Sequence, residues 1–216
     1  MINNKVYEFF KKNFIWLLCF CFFLVFLIIG HSILRKEILE LDKIVYNFIN
    51  SFSTNKLTLF FKIITQFAGG YILVGICILT FLFIKKKRYF TLISLNLINT
   101  TLFNQILKLM FARERPFGIA IIDENGYSFP SGHSMAAMSF YGLLIYIIFK
   151  SKISTKIKYI LIIILSLLIL LIGISRIYLG VHYTSDVIGG FCLSVSYLII
   201  FTRIIEDYLW EVKGNE

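Results

Sequence analysis

Three short stretches of this chain place ionisable and small polar residues inside otherwise apolar sequence. Lys108 is followed, after six residues, by Arg115-Pro116. Pro130-Ser131-Gly132-His133 comes next. Ser175-Arg176 is followed after five residues by His182 and after three more by Asp186. Ionisable groups beside apolar spans are expensive to keep there and mark functional sites. Lys108, Arg115 and Arg176 supply three cations, which together call for a multivalent anion. Phosphate suits the planar donor fork of arginine. Ser131-Gly132-His133 stands where an apolar run begins at Ser134. Free N–H groups and the positive end of a helix dipole form an anion site there. Gly132 lets the backbone come close, and the Ser131 hydroxyl donates one more bond. Pro116 and Pro130 turn the chain out of helical geometry, as suits a loop folding over a site.

His182 and Asp186 are four residues apart and share one face of a helix. The carboxylate accepts from one ring nitrogen and leaves the other aimed outward, the logic of a base held by an orienting acid. Two histidines around a phosphate divide the work. His182, held by Asp186, is the nucleophile that forms a phosphohistidine. His133 protonates the departing oxygen and then activates water. Lys108, Arg115, Ser131, Gly132 and Arg176 are the expected phosphate ligands. With three cations to stabilise the transition-state charge, no metal and no cofactor is expected. Asp186 raises the His182 pKa and the cations lower it, so the two influences oppose.

The elements that must position these residues are membrane helices. Of 216 residues, 58% are hydrophobic, only 16% are charged, and the mean hydropathy is +0.83. So much apolar surface exceeds what a small soluble core can hide. The composition also excludes a disordered chain, collagen and a disulfide scaffold. The net charge of +10 reflects basic cytoplasmic loops rather than nucleic-acid binding, since no basic patch is interleaved with stacking aromatics. Cys19, Cys21, Cys77 and Cys192 lie in apolar runs without metal-ligand spacing and read as small buried hydrophobes.

Six spans are expected. The first runs from Phe14 to about Ile33 and is an uncleaved span, because no small-x-small cleavage pattern follows it. The second ends at Ile84 and starts either at Tyr71 or as far back as Leu57. The others run from Tyr89 to Phe111, Ser134 to Phe149, Ile157 to Ile174, and Asp186 to Ile205. Even span number puts both termini on one side. That side carries 13 Lys and Arg, among them Lys5, Lys11, Lys12, Lys85, Lys86 and Lys213, against 9 on the other. The bias places the termini in the cytoplasm and all three polar clusters on the outer face. From Ile38 to Phe52, Ile38, Leu41, Val45, Phe48, Ile49 and Phe52 recur at helical spacing. This segment is expected to lie along the outer interface. Tyr127, Tyr178 and Tyr183 are expected in the interfacial belt, with Arg113 and His31 as interfacial side chains.

The three clusters resemble the three-part signature of the type-2 phosphatidic acid phosphatase superfamily, with all eleven positions at the expected spacings. The resemblance covers about residues 40–205. It implies a six-helix membrane phosphatase with the residue roles above, metal independence, and lipid phosphate or diphosphate substrates. The same superfamily includes soluble vanadium haloperoxidases, which six spans fit poorly. The expectation is therefore an all-α integral membrane six-helix bundle with an interfacial helix between spans one and two. It forms a single domain over 1–216, in the cell membrane. It hydrolyses a phosphatidate-like or polyprenyl diphosphate lipid and has no nucleic-acid partner. A phosphotransferase using the same intermediate is the alternative within the site's chemistry. The alternative from another class is a non-catalytic transporter or structural protein; a transporter would set its ionisable residues at the bilayer midplane.

Overall fold

The computed structural model describes residues 2–36, 39–83 and 87–210, with side chains from 13 to 206 within those ranges. The expectations for Ile38, Ile84, Lys85, Lys86 and Lys213 lie outside the described residues, as do the side chains of Lys5, Lys11 and Lys12. All regular structure among the described residues is helical. The helices are α1 (Ile2–Leu34), α2 (Glu40–Asn50), α3 (Asn55–Gln66), α4 (Gly70–Phe83), α5 (Lys87–Phe111), α6 (Gly132–Lys150), α7 (Thr155–Tyr178) and α8 (Thr184–Trp210). Helices α6, α7 and α8 pack on one another. α1 lies along α8, α3 along α7, α5 along α6, and α4 along α5. The core between them holds Leu73, Leu92, Ala137, Phe140, Leu143 and Ile172. Gly173 on α7 lets the Phe191 ring and Val187 of α8 press against its backbone, where a Cβ would collide.

Four helical segments are long and apolar enough to cross a bilayer alone: residues 13–34, α6, α7 and residues 184–206. The six-span expectation is thus met only in part. Helices α3 and α4 reach the standard together, bent by 47° where they join. The apolar stretch from Leu57 is helical, but it breaks before Gly70. The Tyr141 hydroxyl donates to the Phe67 carbonyl at that break, at 2.6 Å. Helix α5 occupies the place of the third span yet is too polar to qualify. Its polarity is one-sided: Asn96, Thr100 and Asn104 are buried, and Lys108 continues the same four-residue stripe. Asn96 Nδ2 donates to the Ser139 carbonyl at 3.0 Å, and Asn104 Nδ2 to the Pro130 carbonyl at 2.9 Å. A sliding average cannot see that these amides turn inward and pair.

Two further expectations are corrected, for Tyr178 and Cys21, and that of an interfacial helix stays open. The innermost residue of α2 is the acid Asp42, 3% exposed, while Leu41, Ile44, Phe48 and Phe52 point outward. The helix packs on α7 and α8, and an outer-interface position is not established for it. Tyr178 is not a belt residue. It is fully buried against Phe61, with its hydroxyl among Ser53, Thr54 and Thr58. Cys21 is exposed on α1, whereas Cys19, Cys77 and Cys192 are buried.

Candidate active site

The turn between α7 and α8 sets the centre of the site. Leu179 caps α7, and Gly180 follows with φ +70. A side chain at Gly180 would meet the backbone of Ile119 and Ala120, so glycine lets the α5–α6 loop, residues 112–131, lie across the turn. His182 is then directed into the protein and is 3% exposed. Its Nδ1 is 3.3 Å from Asp186 Oδ2, and its Nε2 is 3.2 Å from Nη1 of Arg115. Arginine can only donate, so Nε2 accepts and the ring proton resides on Nδ1, facing Asp186. Asp186 Oδ2 also accepts from the Tyr183 N–H at 2.9 Å. It therefore orients the imidazole and caps the first turn of α8 together. Burial is the strongest influence on His182. With Arg176 and Arg115 nearby it overcomes the pull of Asp186 and brings the pKa down to about 4. At neutral pH the imidazole is uncharged.

Arg176, from the last turns of α7, is 1% exposed. One of its terminal nitrogens donates to Thr65 Oγ1 at 2.7 Å, and the other pairs with Glu124. Its Nε is buried without a partner among the described residues and remains a donor for an anion. Arg115 is heavily engaged, donating to the carbonyls of Val181, Gly126 and Asn125 at 2.9 to 3.0 Å. Glu124 was not foreseen. Its carboxylate pairs with Arg176 and lies 3.6 Å from Arg115 and 3.9 Å from His133 Nδ1. Burial alone would raise its pKa, but Arg176, His133 and Arg115 hold it below the usual carboxylate range. An internal anion thus sits among the cations. No spacing rule marks it, since it stands in a loop with its partners far away in sequence.

At the start of α6, Ser131 is the N-cap, and its Oγ accepts from Ser134 N at 3.4 Å and Ser134 Oγ at 2.9 Å. Its own hydroxyl proton is left to donate. The Ser131 N–H is already given to the Asp186 carbonyl at 3.1 Å, which ties α6 to α8 at the site. A Cβ on Gly132 would come within 3.0 Å of Asn104 Oδ1, so that residue packs against the amide that holds Pro130. His133, on the next position, feels the charges of Arg176, Glu124, His182 and Lys108. Lys108 in turn feels Arg115, Glu124, Arg176 and Asp186. The structure therefore brings all eight predicted site residues to one end of the bundle. Lys108 arrives without a direct bond to the others.

Arg113 corrects another expectation. It is not interfacial: its side chain is 9% exposed and bonds Asp186, Asp42 and Ser185. Asp42 was likewise missed, although an acid on the same face as Val45, Tyr46 and Ile49 was a signal. A cavity of about 240 Å³ opens beside His182, between Tyr183 and Pro116 on one side and Asp42, Tyr46 and Asn47 of α2 on the other.

The PAP2 superfamily pattern matches residues 89–210, more than half of the chain and inclusive of every predicted site residue. The chain belongs to the PAP2 superfamily. Relatives agree with the match. Phosphatidylglycerophosphatase B of Bacillus subtilis is 39% identical over 116 residues, which cover 53% of this chain and only 57% of that protein. The crystal structure of a transmembrane PAP2-type phosphatidylglycerolphosphate phosphatase from Bacillus subtilis superposes with a TM-score of 0.78. Its identity is 28%, over 92% of this chain and 98% of that one. LpxE of Aquifex aeolicus gives a TM-score of 0.64 and 27% identity over 76% and 96%. The apolar spans and the likeness to a transmembrane PAP2 structure make this a membrane protein.

Proposed function

We propose that this PAP2 protein is a membrane lipid phosphatase that removes phosphate from a lipid monoester or diphosphate through a phosphohistidine on His182. The observation that carries the reading is the buried imidazole whose Nδ1 faces Asp186 and whose Nε2 lone pair faces Arg115. In the first step Nε2 bonds to phosphorus as the P–O bond to the lipid breaks, and the departing oxygen takes a proton from His133. In the second, neutral His133 takes a proton from water, the water oxygen bonds to phosphorus, and Nε2 leaves. Arg115, Arg176, Lys108 and the Ser131–Gly132 helix start stabilise the charge on the equatorial oxygens. Arg115 must exchange the Nε2 lone pair for a phosphate oxygen, and Glu124 must give way to the incoming anion.

The substrates favoured are phosphatidate-like monoesters and polyprenyl diphosphates. Phosphatidylglycerophosphate joins them, since two relatives are named for it. The bundle is proposed to cross the cell membrane six times, with α3 and α4 sharing one span and α5 hiding its amides against α6. Both termini then lie in the cytoplasm and the site on the outer face, as the 13 to 9 division of basic residues supports. The α6 run from Ser134 to Phe149 spans about 24 Å at ~1.5 Å per residue. That is shorter than the ~30 Å slab, so a lipid presents its phosphate while its tail stays in the bilayer. Phosphate release by purified protein from a panel of these lipids, with chelator present, tests the proposal. Release that persists in chelator supports it. No release from any lipid, or release that needs divalent metal, contradicts it.

A further inference from the structure

The Asp42–Arg113–Ser185 cluster is buried, charged and unused by the chemistry above. Asp42 Oδ1 accepts the Ser185 N–H at 2.7 Å, and Asp42 Oδ2 accepts the Ser185 hydroxyl at 2.8 Å. The orphan N–H of the first turn of α8 is therefore capped from another helix, α2. Arg113 bridges the two acids. One terminal nitrogen donates to Asp186 Oδ1 at 2.5 Å and to Ser185 Oγ at 2.7 Å, and the other donates to Asp42 Oδ2 at 3.0 Å. Its guanidinium lies 4.0 Å over the Tyr183 ring. Asp186 is thus shared, with Oδ1 on Arg113 and Oδ2 on His182. The carboxylate cannot rotate without breaking the fork, and its charge is divided between an arginine and the imidazole.

We infer that Arg113, anchored by Asp42 of α2, is a positioning residue that fixes Asp186 and sets how strongly Asp186 acts on the His182 nucleophile. The inference rests on the lipid-phosphatase reading and adds α2 to the machinery of the site. Arg113 draws the charge of Asp186 away from the imidazole and so favours the neutral, attacking form. The other charged and titratable groups around His182 are Arg176 of α7, His133 of α6, Lys108 of α5, Arg115 and Glu124 of the loop, Lys43 and Tyr46 of α2, and Tyr183. None of them is substituted in an Arg113 variant, which removes the guanidinium's contacts with Asp186, Asp42, Ser185 and Tyr183 together.

The test is the pH profile of kcat/KM on one lipid substrate for the wild type and three variants, each checked for folding by thermal melting. Arg113→Gln leaves Asp186 facing His182 alone. The acidic limb then moves up by about one pH unit, and kcat at neutral pH falls about tenfold with KM unchanged. That variant leaves two buried carboxylates face to face, so it can fail to fold. Arg113→Gln with Asp42→Asn removes one charge of each sign and carries the same expected upward shift. Arg113→Lys keeps the charge and loses the fork, so the limb stays at its wild-type position while kcat falls. Rates that drop uniformly, with the limb unmoved in the folded glutamine variants, would make the cluster mere cement and overturn the inference. A wild type that releases no phosphate would instead defeat the phosphatase reading.

Discussion

Glu124→Gln probes the site most tellingly, because on the proposed reading Glu124 and substrate phosphate compete for the same cations. The Glu124 carboxylate pairs with Arg176 and lies 3.6 Å from Arg115 and 3.9 Å from His133. A hydrogen bond to a charged group contributes about 1.5–3 kcal/mol net. The side chain is 25% exposed, which places the contact in the lower part of that range. Removing about 1.5–2 kcal/mol of competition strengthens phosphate binding by about 10- to 30-fold, at ~1.4 kcal/mol per factor of ten. Glutamine keeps the shape and one neutral acceptor, so the loop retains its course. The measurement is the inhibition constant of inorganic phosphate or vanadate against lipid hydrolysis. Thermal stability supplies a second readout. Arg176 is 1% exposed and loses its counter-charge in the variant, so the unliganded protein melts lower and added phosphate restores it. Unchanged or weaker phosphate binding would refute the idea that this carboxylate occupies the anion position.

Three other outcomes follow from the same geometry. His133→Ala slows hydrolysis of an alkyl phosphate by about 10²- to 10⁴-fold, yet has a much smaller effect on an aryl phosphate whose leaving group needs no proton; equal losses on both would remove His133 as the acid. The His182 pKa of about 4 lies below the ordinary histidine value, so the nucleophile stays neutral as pH falls through 6.5. Once the substrate's own ionisation near pH ~6 is divided out, the acidic limb of kcat/KM is expected near pH 4, and a limb near 6.5 would contradict the burial argument. Gly180→Ala puts a side chain at φ +70 against the Ile119 carbonyl. It is expected to lower stability by about 1–2 kcal/mol or more and to displace the loop from His182, seen as a lower melting temperature with reduced kcat; an unaltered melt and rate would show that the loop does not depend on this turn.

The residues that converge at the site were more legible in the sequence than the architecture that gathers them. Lys108, Arg115, Ser131, Gly132, His133, Arg176, His182 and Asp186 announce themselves because ionisable and small polar residues stand out against apolar runs. His182 and Asp186 do pair, but not across one helix face: His182 precedes α8, and Asp186 reaches back to it while capping the first turn. Glu124 and Arg113 escaped because a loop has no periodicity to reveal which way a charge points. Asp42 escaped because the apolar stripe of α2 pointed to the interface and left unmarked the face that meets α7 and α8. Apolar residues that face lipid and those that face protein look alike in sequence, which is also why Tyr178 and Cys21 were misplaced. Helix α5 shows the converse. Its Asn96 and Asn104, whose amide nitrogens donate inward to the Ser139 and Pro130 carbonyls, dilute the hydropathy of the helix and leave it outside the four segments apolar enough to cross alone.

The central claim is a covalent bond between phosphorus and His182 Nε2. Rapid quenching of the purified protein with a lipid labelled in its phosphate, followed by mass spectrometric mapping, tests it directly. The account predicts an acid-labile, base-stable phosphohistidine at residue 182 that appears within one turnover and is absent from His182→Gln. Label on His133, or full turnover with no labelled histidine, would contradict it.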